Sequence, residues 1–201
     1  DAYYSPNAGR MSGIEVIKGS SSIKFGPHSV GGVINYLSTP IPTEETFYYK
    51  QLFGNYGEAR SHAYYGNSYD LDAGTLSFLF EYYDRQNDGF HDIQHVGGDT
   101  GIDTQQEPML KIRFEPKTDM YQFFELKLAH TEFNGPLSYY GVHKDDFDDN
   151  PYDRYWGSQW DNFTSRSTRT YFKHYIELDE TSSLESSVYF NKFHRNWEKI
   201  K

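Results

Sequence analysis

The chain has 201 residues, no cysteine and a formal charge of −10. These values exclude a disulfide framework and a thiolate metal site, and they argue against a nucleic-acid binder, which needs a basic footprint. Hydrophobic content is 36% and mean hydropathy is −0.82, but 19 Tyr and 15 Phe lift the aromatic share to 18%, which argues against a disordered chain.

No apolar run approaches the roughly 18 residues of a membrane-spanning helix. A spanning β-strand needs only about 9–11 residues and shows an apolar side chain at every second one. A hydrophilic average therefore leaves a membrane barrel open. The chain starts at Asp1 with no basic or apolar leader segment and ends at Ile200-Lys201. It reads as a piece of a longer protein.

In chain order, the first feature is IEVIKGSSSIKFGPHSVGGVINYLS, residues 14–38. Two short β-branched runs flank a Gly/Ser-rich segment. Gly19 and Gly26 permit turns at positive φ. Ser20 to Ser22 can cap a short helical turn. Gly31-Gly32 lets the second strand start tightly against its neighbour. Glu15 and Lys18 or Lys24 are candidates for buried polar contacts, or for ordinary surface charge. The composition then changes at Pro40-Ile41-Pro42, which divides the chain into a region 1–41 and a region 42–201.

Beyond that boundary, apolar and polar residues alternate with period two. The clearest strands are 76–82, 109–115, 122–130, 170–178 and 184–190, and weaker ones cover about 45–54 and 57–68. Turns rich in turn formers lie at 70–74, 115–119 and 178–182. The linkers 84–106 and 134–160 are long and polar. Short and long connections thus take turns, as in a transmembrane barrel with short turns on one side and long loops on the other. Tyr82, Tyr83, Tyr121 and Trp197 near strand ends suit interfacial aromatic girdles. A soluble all-β domain with polar loops is the alternative. Seven such strands cannot close in lipid without leaving two edges, so the barrel reading calls for further strands.

One set of residues is far more specific. The segment from Ile14 to Asn35 meets the pattern I-E-V-x-[KR]-G-x5-[YF]-G-x-x-[ATS]-x-G-G-x-[IV]-N at Ile14, Glu15, Val16, Lys18, Gly19, Phe25, Gly26, Ser29, Gly31, Gly32, Ile34 and Asn35. It resembles the end of the plug domain of TonB-dependent outer-membrane receptors. GPHSVGGVIN followed by TPIP, the stretch PYDRYWG (Pro151 to Gly157) and VYFNKFHRNW (Val188 to Trp197) are most similar to the ferric-citrate (FecA-type) receptors. The resemblance implies a mainly β fold: the C-terminal part of an α+β plug domain, then the first seven or so strands of an antiparallel transmembrane barrel of about 22 strands. It implies a receptor in the bacterial outer membrane that takes up ferric citrate by TonB-dependent transport. Uptake of a siderophore or of another chelated metal is the alternative within that class. A soluble β-rich carbohydrate-binding module is the alternative outside it.

The implied partners are the ferric chelate, outer-membrane lipid, and TonB with ExbB and ExbD through an upstream segment. Nucleic acid is not among them. The resemblance implies no intrinsic cofactor, because in that class the iron arrives already chelated. Such an anionic ligand calls for fixed cations, and the arginine fork suits carboxylates best. The resemblance points to Arg195 as a citrate-binding residue, with Arg154 second. It also places Tyr4 and Ser5, in AYYSPNAG, near an apical ligand-contacting loop. A chain at −10 would repel an anion from afar, but exposed charges are screened beyond about 8–10 Å, so local arginines can dominate at contact.

Other chemistry is poorly supported. KDDFDDNPYD, 144–153, lacks the central Gly and final Glu of a calcium loop. His91 and His95 are four apart, but in a Gly/Asp-rich loop where that spacing does not align side chains. No nucleophile–base set and no phosphate-binding glycine motif is present, so an enzyme is not expected.

Overall fold

A computed structural model describes residues 5–19, 31–98 and 100–199. The motif positions Phe25, Gly26 and Ser29, together with Tyr4, Ser20 to Ser22 and Lys24, lie outside the described residues. The chain divides into two compact units, one at Ser5–Pro40 and one running on from Ile41.

In the first unit, Asn7 caps a 3-10 turn, Ala8–Arg10, by accepting a hydrogen bond from the Gly9 amide at 2.8 Å. Strand β1 (Gly13–Lys18) pairs antiparallel with β2 (Gly32–Leu37), with Gly13 opposite Leu37 and Lys18 opposite Gly32. Two glycines close this ladder. Gly19 ends β1 at φ +75°, and Gly32 opens β2 at φ +141°. A Cβ on Gly32 would lie 2.6 Å from the Ile17 carbonyl oxygen, so no side chain fits there. No α-helix occurs among the described residues of this unit.

The second unit is mainly one antiparallel sheet of seven strands: β3 (Thr46–Phe53), β4 (Ala59–Leu71), β5 (Gly74–Asn87), β7 (Ile102–Pro116), β8 (Gln122–Gly135), β10 (Asn162–Glu177) and β11 (Ser183–Glu198). They follow one another in space as in sequence, apart from two two-residue strands, β6 (Asp92–Ile93) and β9 (Asp153–Arg154), that sit in the long loops. The sheet is open. β3 and β11 are its edges, so the expected barrel is not seen closed.

The strands run longer than the alternation predicts. β5 continues to Asn87, β7 begins at Ile102, β8 reaches Gly135 and β10 begins at Asn162. The physical reason is that both faces become polar there. Asp84, Gln106, Glu132 and Arg166 occupy positions that are apolar lower on the same strands. Backbone pairing persists while the period-two signal vanishes. The linkers are correspondingly shorter than expected.

Register aligns the two faces across the whole sheet. One row reads Phe47, Tyr65, Phe80, Leu110, Leu128, Thr170 and Phe190. The next reads Phe78, Ile112, Leu126, Phe172 and Val188. This face is open: Phe47 is 72%, Val188 73% and Phe190 62% exposed. The other face carries Glu81, Glu107, Lys111 and Glu125, all buried, the first two fully. It also holds a small apolar cluster of Leu79, Met109 and Ala129, with Ile41 and Tyr64 packed against it. The buried charges have partners, as burial requires. His62 Nε2 lies 2.7 Å from Glu81, Arg113 donates to Glu125 at 2.6 and 2.9 Å, and the Tyr171 hydroxyl also donates to Glu125. The usual amphipathicity of a soluble sheet is inverted.

Candidate functional site

Three connections meet at one end of the large sheet. They are the turn 54–58 and the long loops 88–101 and 136–161. The short turns 72–73, 117–121 and 178–182 lie at the opposite end. Polar side chains on the buried face at the loop end are therefore the natural place to look for a ligand site.

The first cluster is built on Glu58. Arg60 and Arg85 stand opposite each other in the β4–β5 ladder. Left alone, two guanidiniums at that spacing would repel. Glu58 bridges them: Arg85 donates through Nε at 2.8 Å and Nη2 at 3.2 Å, Arg60 donates through Nε, and Asn87 adds its amide at 2.9 Å. Burial alone would raise the Glu58 pKa, but hydrogen bonds and charge from Arg85 and Arg60 outweigh it and hold it at about 2. Two further carboxylates lie close by, Asp88 beside Gly57 and Glu107 opposite Tyr83. The cluster borders a cavity of about 350 Å3 walled by Tyr56, Phe90 and Phe133.

The second feature ties the two long loops together. β6 pairs in parallel with β9, and Asp92 and Gln94 amides donate to the Tyr152 and Arg154 carbonyls at 2.9 Å. Arg154 Nη2 hydrogen-bonds to His91 Nε2, and Arg154 Nη1 donates to the Asp153 carbonyl at 2.8 Å. His91 must accept that bond, so its Nε2 carries no proton. Burial, and secondarily the Arg154 charge, push the His91 pKa down. Arg154 is therefore a loop fastener. The acidic run forms a short helix, α1 (Lys144–Asp149), capped by His143 and tied to Tyr155 through Asp146.

Arg195 lies in β11 opposite the buried Ser165, on the same face as Trp197. Trp197 meets Phe163 and Tyr139 edge-on and donates its indole N–H to the Leu137 carbonyl at 2.9 Å. It anchors the second long loop, and so corrects the placing of Trp197 in an outer girdle. Tyr83 is corrected likewise: it lies on the buried face opposite His62, 2% exposed. Tyr82 sits on the open face one row beyond Phe80.

No protein-family model matches the chain, and no solved structure matches it.

Two described motif positions in the first unit meet directly. Asn35 donates its side-chain amide to Glu15 at 2.9 Å, directly across the β1–β2 ladder. Glu15 is thus engaged within its own hairpin. Ile14, Val16 and Lys18 lie on β1, Gly19 ends it, Gly31 precedes β2, and Ser5 lies before the 3-10 turn. Arg154 and Arg195 stand on different elements, one in the loop tie and one on the sheet. Glu58, Arg60, Arg85 and Asn87 were not predicted as a site. A signal for the arginine pair does exist: positions 60 and 85 are equidistant from the Asp72-Ala73 turn. Among the described residues no group of three His, Asp or Glu side chains could hold a metal ion.

Proposed function

We propose that the chain is part of a TonB-dependent outer-membrane receptor that takes up a ferric chelate, ferric citrate above all. The observation that carries this reading is the inverted sheet, with aromatic and aliphatic side chains open on one face and paired charges buried on the other. In water each exposed Phe, Leu or Val forgoes roughly 1.5–3 kcal/mol of burial. In a bilayer the same face is matched to its solvent, and the polar face lines a protected interior. Alternation of short turns with long loops at opposite ends fits the same picture. The open edges would be closed by further strands, since no edge is tolerated in lipid. The hairpin β1–β2 and its Glu15–Asn35 pair would belong to the plug.

The ligand would meet the buried face at the loop end, where Arg195 and the Arg60–Arg85 pair supply cations. Exposed rings on the loops, including Tyr139, Trp156 and Trp160, all above 50% exposed, favour a second cargo with flat or apolar groups, such as a siderophore. Fractionation of cells expressing the intact receptor tests the class. Recovery only in detergent-extracted outer membranes is expected, and free solubility without detergent would reject it.

A further inference from the structure

The cavity beside Glu58 is shared by all three connections at the loop end of the large sheet. At about 350 Å3 it lies at the small end of the range for small-molecule sites. Asn55 and Tyr56 reach it from the turn, Phe90 and His91 from the first long loop, and Leu137 from the second. The Tyr56 and Phe90 rings pack at 6.2 Å between centroids, and Phe90 meets Tyr152 edge-on at 6.4 Å. Three rings, one from each connection, thus form a row, and each is more than half exposed.

Tyr56 is held there against its own preference. Tyr56 and Gly57 have φ of +57° and +64°, and the Glu58 amide closes the turn on the Asn55 carbonyl at 3.2 Å. Such a hairpin turn favours Asn-Gly at its centre. A tyrosine at positive φ is strained, and strain of this kind collects at functional sites. The charges of the lining cancel, because Glu58 and Arg85 are bonded to each other. Asp88, beside Gly57, adds to the case against an anion. His91 accepts from Arg154 at Nε2, so its ring proton sits on Nδ1. Among the described residues, the Asn55 side-chain amide, the Tyr56 hydroxyl and His91 Nδ1 have no hydrogen-bond partner. We infer that the cavity binds a soluble neutral saccharide. A pyranose ring lays its C–H face on Tyr56 and Phe90 and shares its hydroxyls with Asn55, Tyr56 and His91. The aromatic walls select a flat apolar face, the cancelled charge selects a neutral ligand, and the open polar groups select hydroxyls over a bare arene. Tyr152 continues the platform for a second sugar ring. The site needs only this loop end, so it stands whether the open face of the sheet meets lipid or water.

The test is saturation-transfer NMR on the intact protein, in a detergent without a sugar head. The probes are glucose, galactose, mannose, N-acetylglucosamine and cellobiose. At least one should take up saturation, most strongly at the C–H protons of one ring face, and glucuronate should not. Tyr56→Asn is the decisive variant. Asparagine suits the turn, so thermal stability should hold or rise. Affinity for the sugar that binds should nevertheless fall at least about fivefold, the loss expected for a ring contact and its buried area. Phe90→Ala should weaken binding as well. No signal from any of the neutral sugars, equal binding in Tyr56→Asn, or tighter binding of catechol, a neutral arene with hydroxyls, would each overturn the site. Sugar binding by a protein that stays soluble without detergent would keep the site and reject the receptor.

Discussion

Arg60 and Arg85 face each other across the β4–β5 ladder and share one carboxylate, Glu58. The depressed Glu58 pKa means that its contribution is complete above the ordinary carboxylate value of 4.5 and is lost as pH falls through about 2. Glu58→Gln should leave the guanidiniums without their shared charge and destabilise the loop end by about 1–3 kcal/mol. Thermal melts of the detergent-solubilised receptor at stepped pH check this. The wild type should lose stability between about pH 4.5 and 2, and the variant should lose that part of the slope. Equal slopes would reject the bridge.

The loop tie makes a second pH-dependent prediction. The Arg154–His91 bond needs neutral His91, whose pKa is lowered by burial and by Arg154. Its contribution is therefore full above the ordinary His value near 6.5 and fades as pH falls through the lower folded value. Hydrogen-exchange protection of the Asp92 and Gln94 amides reports the tie directly. Protection factors should be high at pH 7.5, reduced at pH 5, and low at both in Arg154→Ala.

How much of this was legible follows from where each pattern originates. The apolar stripe from Leu76 to Tyr82 was readable because one face is apolar and the other polar. The extensions of β5 to Asn87 and of β10 back to Asn162 were not, because residues such as Asp84 and Arg166 leave both faces polar. The β6–β9 pairing joins segments some 60 residues apart through two residues each, and no local signal announces it. Trp197 looked like a girdle residue by its place near a strand end. Its parity with Arg195 puts it on the other face, where it holds Leu137.

Gly32 carries the tight approach anticipated for Gly31-Gly32. At φ +141° with a Cβ position 2.6 Å from the Ile17 oxygen, Gly32→Ala requires both a strained backbone and a shift of β1. The cost should be about 1–3 kcal/mol, read as faster exchange of the β1–β2 amides. Gly31→Ala, with nothing within 4 Å of its Cβ, should cost markedly less, and equal costs would refute the geometric explanation.

On the proposed cargo, Arg195→Ala in the intact receptor should weaken ferric-citrate binding by about 1.5–3 kcal/mol, the range for hydrogen bonds to charged groups. Calorimetry reads it. Arg154→Ala should act mainly through the loops, changing exchange at Asp92 more than affinity. Unchanged affinity in Arg195→Ala would remove that residue from the ligand site.

The open face allows the sharpest choice between a membrane sheet and a soluble one. Leu128 lies in the central apolar row, between Leu110 and Thr170, and is 42% exposed. On a water-exposed surface, Leu128→Arg would change stability by no more than about 0.5 kcal/mol. At the middle of a bilayer, the same charge on a lipid-facing position costs about 2–4 kcal/mol, falling toward zero near the interfaces. Arg at Thr168, two residues nearer the loop end and opposite Lys192, should cost much less. Folding of the two variants into lipid vesicles, titrated with denaturant, should show that gradient. Small and equal effects at both positions would mean that the aromatic and aliphatic face meets water.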